Sequence, residues 1–155
     1  MRALLALALL LAVSGPSGAS SPVFRRADGS AIVTPDKVRA WCDAEGLHVY
    51  SLGSIHQSRW QLEVARKQLR SNHTVRFSWQ RENGIGIFVF DAKTHNEASE
   101  GAEGSHGVVA LRKTSCRRGA PLEIGLSGTI ASEFSDGKPI RASGTYRGSV
   151  GPPLR

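Results

Sequence analysis

The sequence predicts an all-β fold: a single antiparallel meander-type sandwich or barrel of about eight strands, preceded by a signal-peptide helix. Three observations support this prediction. Apolar and polar residues mostly alternate through residues 37–150, which is the pattern of half-buried strands. Turn-forming residues interrupt the alternation at short intervals, as between antiparallel strands. Beyond residues 1–19, only the segment of residues 59–72 also fits the pattern of a helix.

The first 19 residues have the layout of a secretory signal peptide. Arg2 supplies a positive charge, residues 3–13 are an unbroken apolar run, and residues 14–19 ("SGPSGA") break the helix and provide small side chains. The apolar run is shorter than the about 20 residues that a membrane-spanning helix needs. We therefore predict cleavage after Ala19, a secreted or periplasmic protein, and no transmembrane segment after cleavage.

The chain after the signal peptide has a length that suits one domain. Proline and glycine break up residues 20–36, which we interpret as an extended lead-in. Residues 37–150 carry the alternating pattern and are predicted to form a single β domain. Residues 151–155 are predicted to be a tail.

The two cysteines, Cys42 and Cys116, both lie in the predicted β domain. In an oxidising compartment an even pair of cysteines indicates a disulfide, whereas the alternative is two buried free thiols. We favour the disulfide because the signal peptide directs the chain to such a compartment. The sequence contains no Cys-x-x-Cys motif, so it gives no support to a redox or zinc role for these residues.

The first predicted hairpin joins "VRAWCDA" to "LHVYSL" through a Gly-containing turn. Val38, Ala40 and Cys42 share one face of the first strand, because side chains alternate along a strand. Leu47 and Val49 share one face of the second. The alternation on both sides of a short connection indicates two paired strands.

The segment that follows, "SRWQLEVARKQLRSN", fits two structures. Trp60, Leu62 and Val64 alternate as in a strand, whereas Leu62 and Leu69 fit one face of a helix. Its Ala, Arg, Lys and Gln residues are also good helix formers. We predict a strand through Val64 and leave open whether the rest of residues 59–72 is strand or helix.

Two further strands are predicted around a turn at residues 82–84. In "TVRFSWQ", Val75, Phe77 and Trp79 face one way. "IGIFVFDA" is apolar on both faces, which indicates a central strand. "VVALRKTSC" then adds a strand that ends at Cys116.

Residues 93–107 ("KTHNEASEGAEGSHG") are predicted to be a long polar loop, because they show no apolar periodicity. Loops of this length are often functional or mobile. Imidazoles and carboxylates are metal ligands by type, so an alternative hypothesis places a metal site here, although no His-Glu-x-x-His motif is present. The candidate ligands are His95, His106, Glu97 and Glu103.

The last two strands come from "LSGTIASEFSDGKPIRASGTYRG", in which Ser-Gly-Thr occurs twice. A turn at residues 135–139 pairs these strands so that Gly128 opposes Tyr146 and the apolar residues share one face. The Tyr146 ring is then expected to cover Gly128, as aromatic side chains do beside strand glycines. In this register the doubled triplets are cross-strand neighbours and carry no catalytic meaning.

Basic residues occur in two groups that are separated in the sequence. If the two groups fold onto one side, they form an anion-binding face. The alternative is a solvated surface, which is the usual location of charged residues. The nine residues are Arg59, Arg66, Lys67, Arg70, Arg76, Arg112, Lys113, Arg117 and Arg118.

No nucleophile or cofactor motif stands out, since "GLSGT" lacks the second glycine of a nucleophile elbow. The net charge of +7 favours anionic partners, and nucleic acid is not expected as a partner outside the cell. We therefore predict a non-catalytic binding module of the periplasm or cell exterior, without a cofactor. Its candidate ligands are an anionic envelope component, a small apolar ligand or a partner protein. The alternative is a metal-assisted hydrolase that uses residues 93–107.

Overall fold

The computed structural model describes residues 20–153, and the predicted signal peptide lies outside the described residues. The described chain is all-β, with eleven strands, one 3₁₀ turn and no α-helix. No helix within it is long and apolar enough to cross a membrane. The strands are β1 (Val23–Arg25), β2 (Ala31–Ile32), β3 (Val38–Cys42), β4 (Gly46–Ser51), β5 (Arg59–Ala65), β6 (His73–Ser78), β7 (Ile85–Asp91), β8 (Asn96–Ser99), β9 (His106–Lys113), β10 (Pro121–Ser132) and β11 (Ile140–Ser149).

The strands form one antiparallel sheet that curls into a half-barrel. Its first half has the order β2-β1-β11-β10-β9-β6, and its second half has the order β8-β7-β5-β4-β3. The long strand β10 joins the halves, because its last residues, Ala131 and Ser132, turn away from β11 and pair with β8. The antiparallel all-β prediction is confirmed, with eleven strands rather than about eight.

The meander expected from the sequence is broken at β6. This strand pairs with β9 in the first half, and β5 pairs directly with β7. Val75 and Phe77 of β6 are buried in the core from this position. An alternating strand shows which face is buried and not which strand it pairs with, so the sequence pattern did not reveal the crossing.

The core lies between the inner faces of the two halves. Trp60 of the second half is its largest fully buried side chain, and the Trp60 ring centroid lies 5.9 Å from that of Phe24 and 6.2 Å from that of Tyr146 in the first half. Aliphatic side chains from most strands fill the space around these rings. The interior is therefore a packed core of the chain's own side chains.

The predicted hairpin of β3 and β4 is confirmed, with Ala40 opposite Val49. The open question about residues 59–72 is also answered. β5 runs through Ala65, and a short 3₁₀ turn, Arg66–Gln68, follows it. The predicted lead-in, residues 20–36, contains β1 and β2, and β1 pairs with β11.

The prediction of one long loop at residues 93–107 is wrong. Strand β8 lies inside this segment and pairs with both β7 and β10. Ala98 is its one fully buried apolar side chain, so the strand leaves no alternating apolar pattern. Backbone pairing to two neighbours holds it in the sheet.

The predicted register of the last hairpin is also wrong. Gly128 lies opposite Ala142, and Tyr146 lies opposite Ile124. The ladder between β10 and β11 ends at Ile130, because β10 then turns to pair with β8. The error is an even number of residues, so the apolar side chains still share the inner face, as predicted.

Phe77, and not Tyr146, covers Gly128. A Cβ atom placed on Gly128 would lie 2.9 Å from the Phe77 ring, and one on Gly107 would lie 2.6 Å from it. Gly107 pairs with both Phe77 and Gly128, so the ring lies across two neighbouring strands. The glycines of β9 and β10 thus make room for one aromatic side chain of the core.

The predicted disulfide is confirmed. Cys42 at the end of β3 is bonded to Cys116 in the connection between β9 and β10, with Cα atoms 5.5 Å apart. The bond joins the edge strand of the second half to the first half, across 74 positions of sequence.

Candidate functional site

Seven of the nine predicted basic residues lie at one end of the half-barrel, in two connections that touch each other. These connections are residues 66–72, between β5 and β6, and residues 112–120, around the end of β9 and the start of β10. We call this region the basic end. Its basic residues are Arg66, Lys67, Arg70, Arg112, Lys113, Arg117 and Arg118, all of them exposed.

Backbone and side-chain hydrogen bonds hold the two connections together. The Asn72 N–H donates to the Arg112 carbonyl oxygen over 3.3 Å. The Thr114 N–H donates to Ser71 Oγ over 3.0 Å, and the Ser71 hydroxyl donates to the Thr114 carbonyl oxygen over 3.3 Å. The Cys42–Cys116 bond fixes the second connection to β3. The two groups of basic residues are therefore joined through ordered backbone.

Few carboxylates neutralise the basic end. Within residues 20–153, Arg112 is the one residue of the seven that forms an ion pair, with Glu123 at 3.2 Å. The hydrogen bond from Arg112, with the nearby charge of Arg147, holds the pKa of Glu123 below its ordinary value. The other six cations face solvent without an acidic partner in the described chain, and such unpaired cations attract anions.

Two of the predicted basic residues lie elsewhere. The Arg59 guanidinium lies 4.6 Å from the centroid of the Phe90 ring, near the far end of β5. Arg76 is exposed in the middle of β6. The structure does not bring these two residues into the basic end.

Beside the basic end, the outer face of the second half carries a hydrogen-bonded cluster that the sequence reasoning missed. His48 is 8% exposed, and its Nε2 lies 2.9 Å from Asp43 Oδ2 while its Nδ1 lies 3.4 Å from Glu63 Oε1. The Nε2 contact is close but poorly aligned as a hydrogen bond. The Tyr50 hydroxyl donates to the same Glu63 oxygen. The Trp41 ring stacks on His48, with centroids 5.1 Å apart.

The cluster favours a protonated imidazole. Burial alone disfavours the charge on His48, but the two nearby carboxylates, Asp43 and Glu63, outweigh it and raise the pKa of His48. Burial and Glu63 also raise the pKa of Tyr50. The cluster's polar groups in the described chain are His48, the carboxylates of Asp43 and Glu63, and the Tyr50 hydroxyl. The sequence signal for this cluster was that His48 and Tyr50 of β4 face outward. Their partner Glu63 could not be predicted, because it depends on the register between β4 and β5.

The opposite end holds a second charged pair. Asp91 is 1% exposed and accepts two hydrogen bonds from the Arg26 guanidinium, at 2.6 and 2.7 Å. The Thr94 hydroxyl and the Lys93 N–H also donate to its carboxylate. Burial alone would raise the pKa of Asp91, but these donors lower it. A cleft of about 700 Å³ lies over the pair, with exposed Phe134 on one wall.

The candidate metal ligands are spread over several elements. His95 lies in the β7–β8 turn, Glu97 in β8, Glu103 in the following turn and His106 at the start of β9. His106 Nδ1 contacts the Gly104 carbonyl oxygen at 2.9 Å. Among residues 20–153, no three His, Cys, Asp or Glu side chains are placed to hold a metal ion together.

No family model matches this chain, and neither a curated protein nor a solved structure is detectably similar to it. Its function is therefore argued from its own residues.

Proposed function

We propose that this protein is an exported, non-catalytic module that binds a polyanion at the basic end. The observation that carries the proposal is the group of six exposed cations without an acidic partner in the described chain. Several cations fixed on one surface attract a polyanion more strongly than the same charges dispersed over the molecule. Hydrogen bonds and a disulfide hold these two connections in place. The backbone that carries their cations is therefore fixed, unlike that of a flexible basic tail.

Other features support the same assignment. The disulfide fits a protein of an oxidising compartment outside the cytosol. The packed core favours a surface ligand over a small apolar ligand between the two halves. An anionic component of the cell envelope is therefore the partner that fits best, and export by the predicted signal peptide is part of the proposal.

Retention on a heparin column tests polyanion binding. We expect the purified chain without residues 1–19 to elute only at raised salt, because exposed charges attract over about 10 Å at 0.1 M salt and less as salt rises. Replacing Arg117 and Arg118 with Glu should move elution to clearly lower salt. Both side chains are exposed, so the fold should be unaffected.

The matched control is Lys138→Glu with Arg141→Glu, which makes the same change in net charge away from the basic end. Both control residues are exposed, near the turn between β10 and β11. The control should elute near the unmodified protein. Equal loss of retention in both variants would mean that net charge alone drives binding, and the proposal would then be wrong.

A further inference from the structure

A second surface feature lies next to the basic end and has a different chemistry. A cleft of about 380 Å³ is formed where the end of β5, the start of β7 and the segment after β6 meet. Trp79, Lys67, Arg81 and Glu82 are among the residues that line it. We call it the Trp79 cleft.

Trp79 is the one exposed tryptophan of the three in the chain. The residue is 42% exposed, compared with 7% for Trp41 and 0% for Trp60. Its backbone is fixed, since the Trp79 N–H donates to the Ser105 carbonyl oxygen over 3.1 Å. β6 ends at Ser78, so Trp79 does not continue the buried face of Val75 and Phe77 that the alternation predicted. The cleft therefore presents a large flat ring on a fixed backbone.

Glycines keep the cleft open beside this ring. Gly84 has a φ of 78°, and a Cβ atom there would lie 2.8 Å from Ala65 Cβ and 3.2 Å from Lys67 Cε. At Gly86, a Cβ atom would lie 3.3 Å from Glu63 Cβ. Side chains at these positions would fill the space between Lys67 and the strands.

Three polar side chains of the cleft have no partner in the described chain. The side chains of Lys67, Arg81 and Glu82 form no hydrogen bond or ion pair within residues 20–153. Two of them are donors and one is an acceptor. A ligand with several hydroxyl groups around a flat apolar surface would satisfy both these groups and the indole ring.

We propose that the Trp79 cleft binds an uncharged sugar ring of a glycan. The C–H face of the ring would stack on Trp79, and its hydroxyls would bond to Lys67, Arg81 and Glu82. The ring should carry no negative charge, because acidic residues outnumber basic ones in the lining. The acidic side chains are Glu45, Glu63, Glu82 and Glu100.

Lys67 belongs to both the basic end and the cleft, but sugar binding does not depend on Arg117 or Arg118. A short uncharged oligosaccharide has no charge to attract it to Arg117 or Arg118. The variant with both arginines replaced by Glu should therefore bind the sugar as the unmodified protein does. The two proposals can fail separately.

Intrinsic tryptophan fluorescence tests the site directly. We would titrate the chain without residues 1–19 with uncharged tetrasaccharides of β-linked glucose, N-acetylglucosamine and mannose, and with uronic-acid tetramers. At least one uncharged sugar should change the emission, since Trp79 is the accessible indole. Trp79→Ala should weaken binding in calorimetry about tenfold or more. Trp79→Tyr should retain part of it.

Phe134→Ala is the matched control, because Phe134 is an aromatic residue of similar exposure, 49%, away from the cleft. It should leave sugar binding unchanged, and equal unfolding midpoints would show that all variants fold. Absence of binding to every uncharged sugar up to about 10 mM would overturn the proposal. So would binding that persists in Trp79→Ala. If spermidine and none of the sugars gave a signal that Trp79→Ala abolishes, the cleft would be a cation site and the proposal would be wrong.

Discussion

The two ends of the half-barrel each contain a side-chain link between the halves, and the two links differ in kind. At the basic end, the Cys42–Cys116 disulfide joins β3 to the β9–β10 connection. At the opposite end, the Arg26–Asp91 ion pair joins the β1–β2 turn to the end of β7. A covalent bond tolerates the mutual repulsion of surrounding cations, whereas a buried ion pair requires that both charges remain and are fully hydrogen-bonded. The link at the basic end thus carries no charge of its own.

Removing the disulfide should give the largest effect. Replacing Cys42 and Cys116 with Ala should lower the free energy of unfolding by ~4 kcal/mol, because the unfolded chain is no longer constrained by a long loop. Urea unfolding of the oxidised protein and the double variant measures this difference. Part of the loss should be recovered at 1 M salt, since screening relieves repulsion at the basic end. If salt does not change the loss of unfolding free energy, the disulfide does not act against repulsion between the nearby cations.

Breaking the Arg26–Asp91 ion pair should give the second-largest loss of stability. Arg26→Ala leaves the Asp91 carboxylate buried without its guanidinium, and the free energy of unfolding should fall by about 3 kcal/mol at neutral pH. Replacing both Arg26 and Asp91 with Ala should cost less than the single change, because no charge is then stranded. Urea unfolding distinguishes the two variants. Equal losses would mean that the pair acts only through packing.

The pH dependence of this pair follows from the lowered pKa of Asp91. A carboxylate with a depressed folded pKa contributes stability that is present above its unfolded pKa and is lost as pH falls through the folded pKa. The contribution of the pair to the free energy of unfolding should therefore be constant across neutral pH and should fall only in acid. In Arg26→Ala this acid-dependent loss should be smaller.

The alternation of side chains was enough to predict the fold class, the β3–β4 hairpin and the inner face of the last two strands. It failed where pairing rather than burial defines a strand. β8 buries Ala98 alone, and β2 has two residues, so neither gives a readable period. The predicted register of β10 and β11 was wrong because β10 changes partners at Ala131, and no sequence feature near Ala131 indicates this change.

The candidate sites were also predicted only in part. Charge clustering in the sequence found the basic end, but only the folded connections showed that Arg59 and Arg76 lie outside it. The His48 cluster needs β4 and β5 in register, since His48 pairs with Glu63. The alternation predicted Trp79 on the same face as Val75 and Phe77, but β6 ends one residue before it and Trp79 is exposed.

The smallest expected effect concerns His48, beside the basic end, whose contribution to stability should change near neutral pH, unlike that of the Arg26–Asp91 pair. Its raised folded pKa contributes stability that is present below about pH 6.5 and is lost as pH rises through the folded pKa. His48→Gln should therefore reduce stability more at pH 5.5 than at pH 8.5, as urea midpoints would show. The difference should be smaller than that for Arg26→Ala, because the Asp43 and Glu63 side chains are 43% and 47% exposed and water screens them. A pH-independent loss would assign His48 to packing against Trp41, and neither His48 nor the Arg26–Asp91 pair would then make stability sensitive to neutral pH.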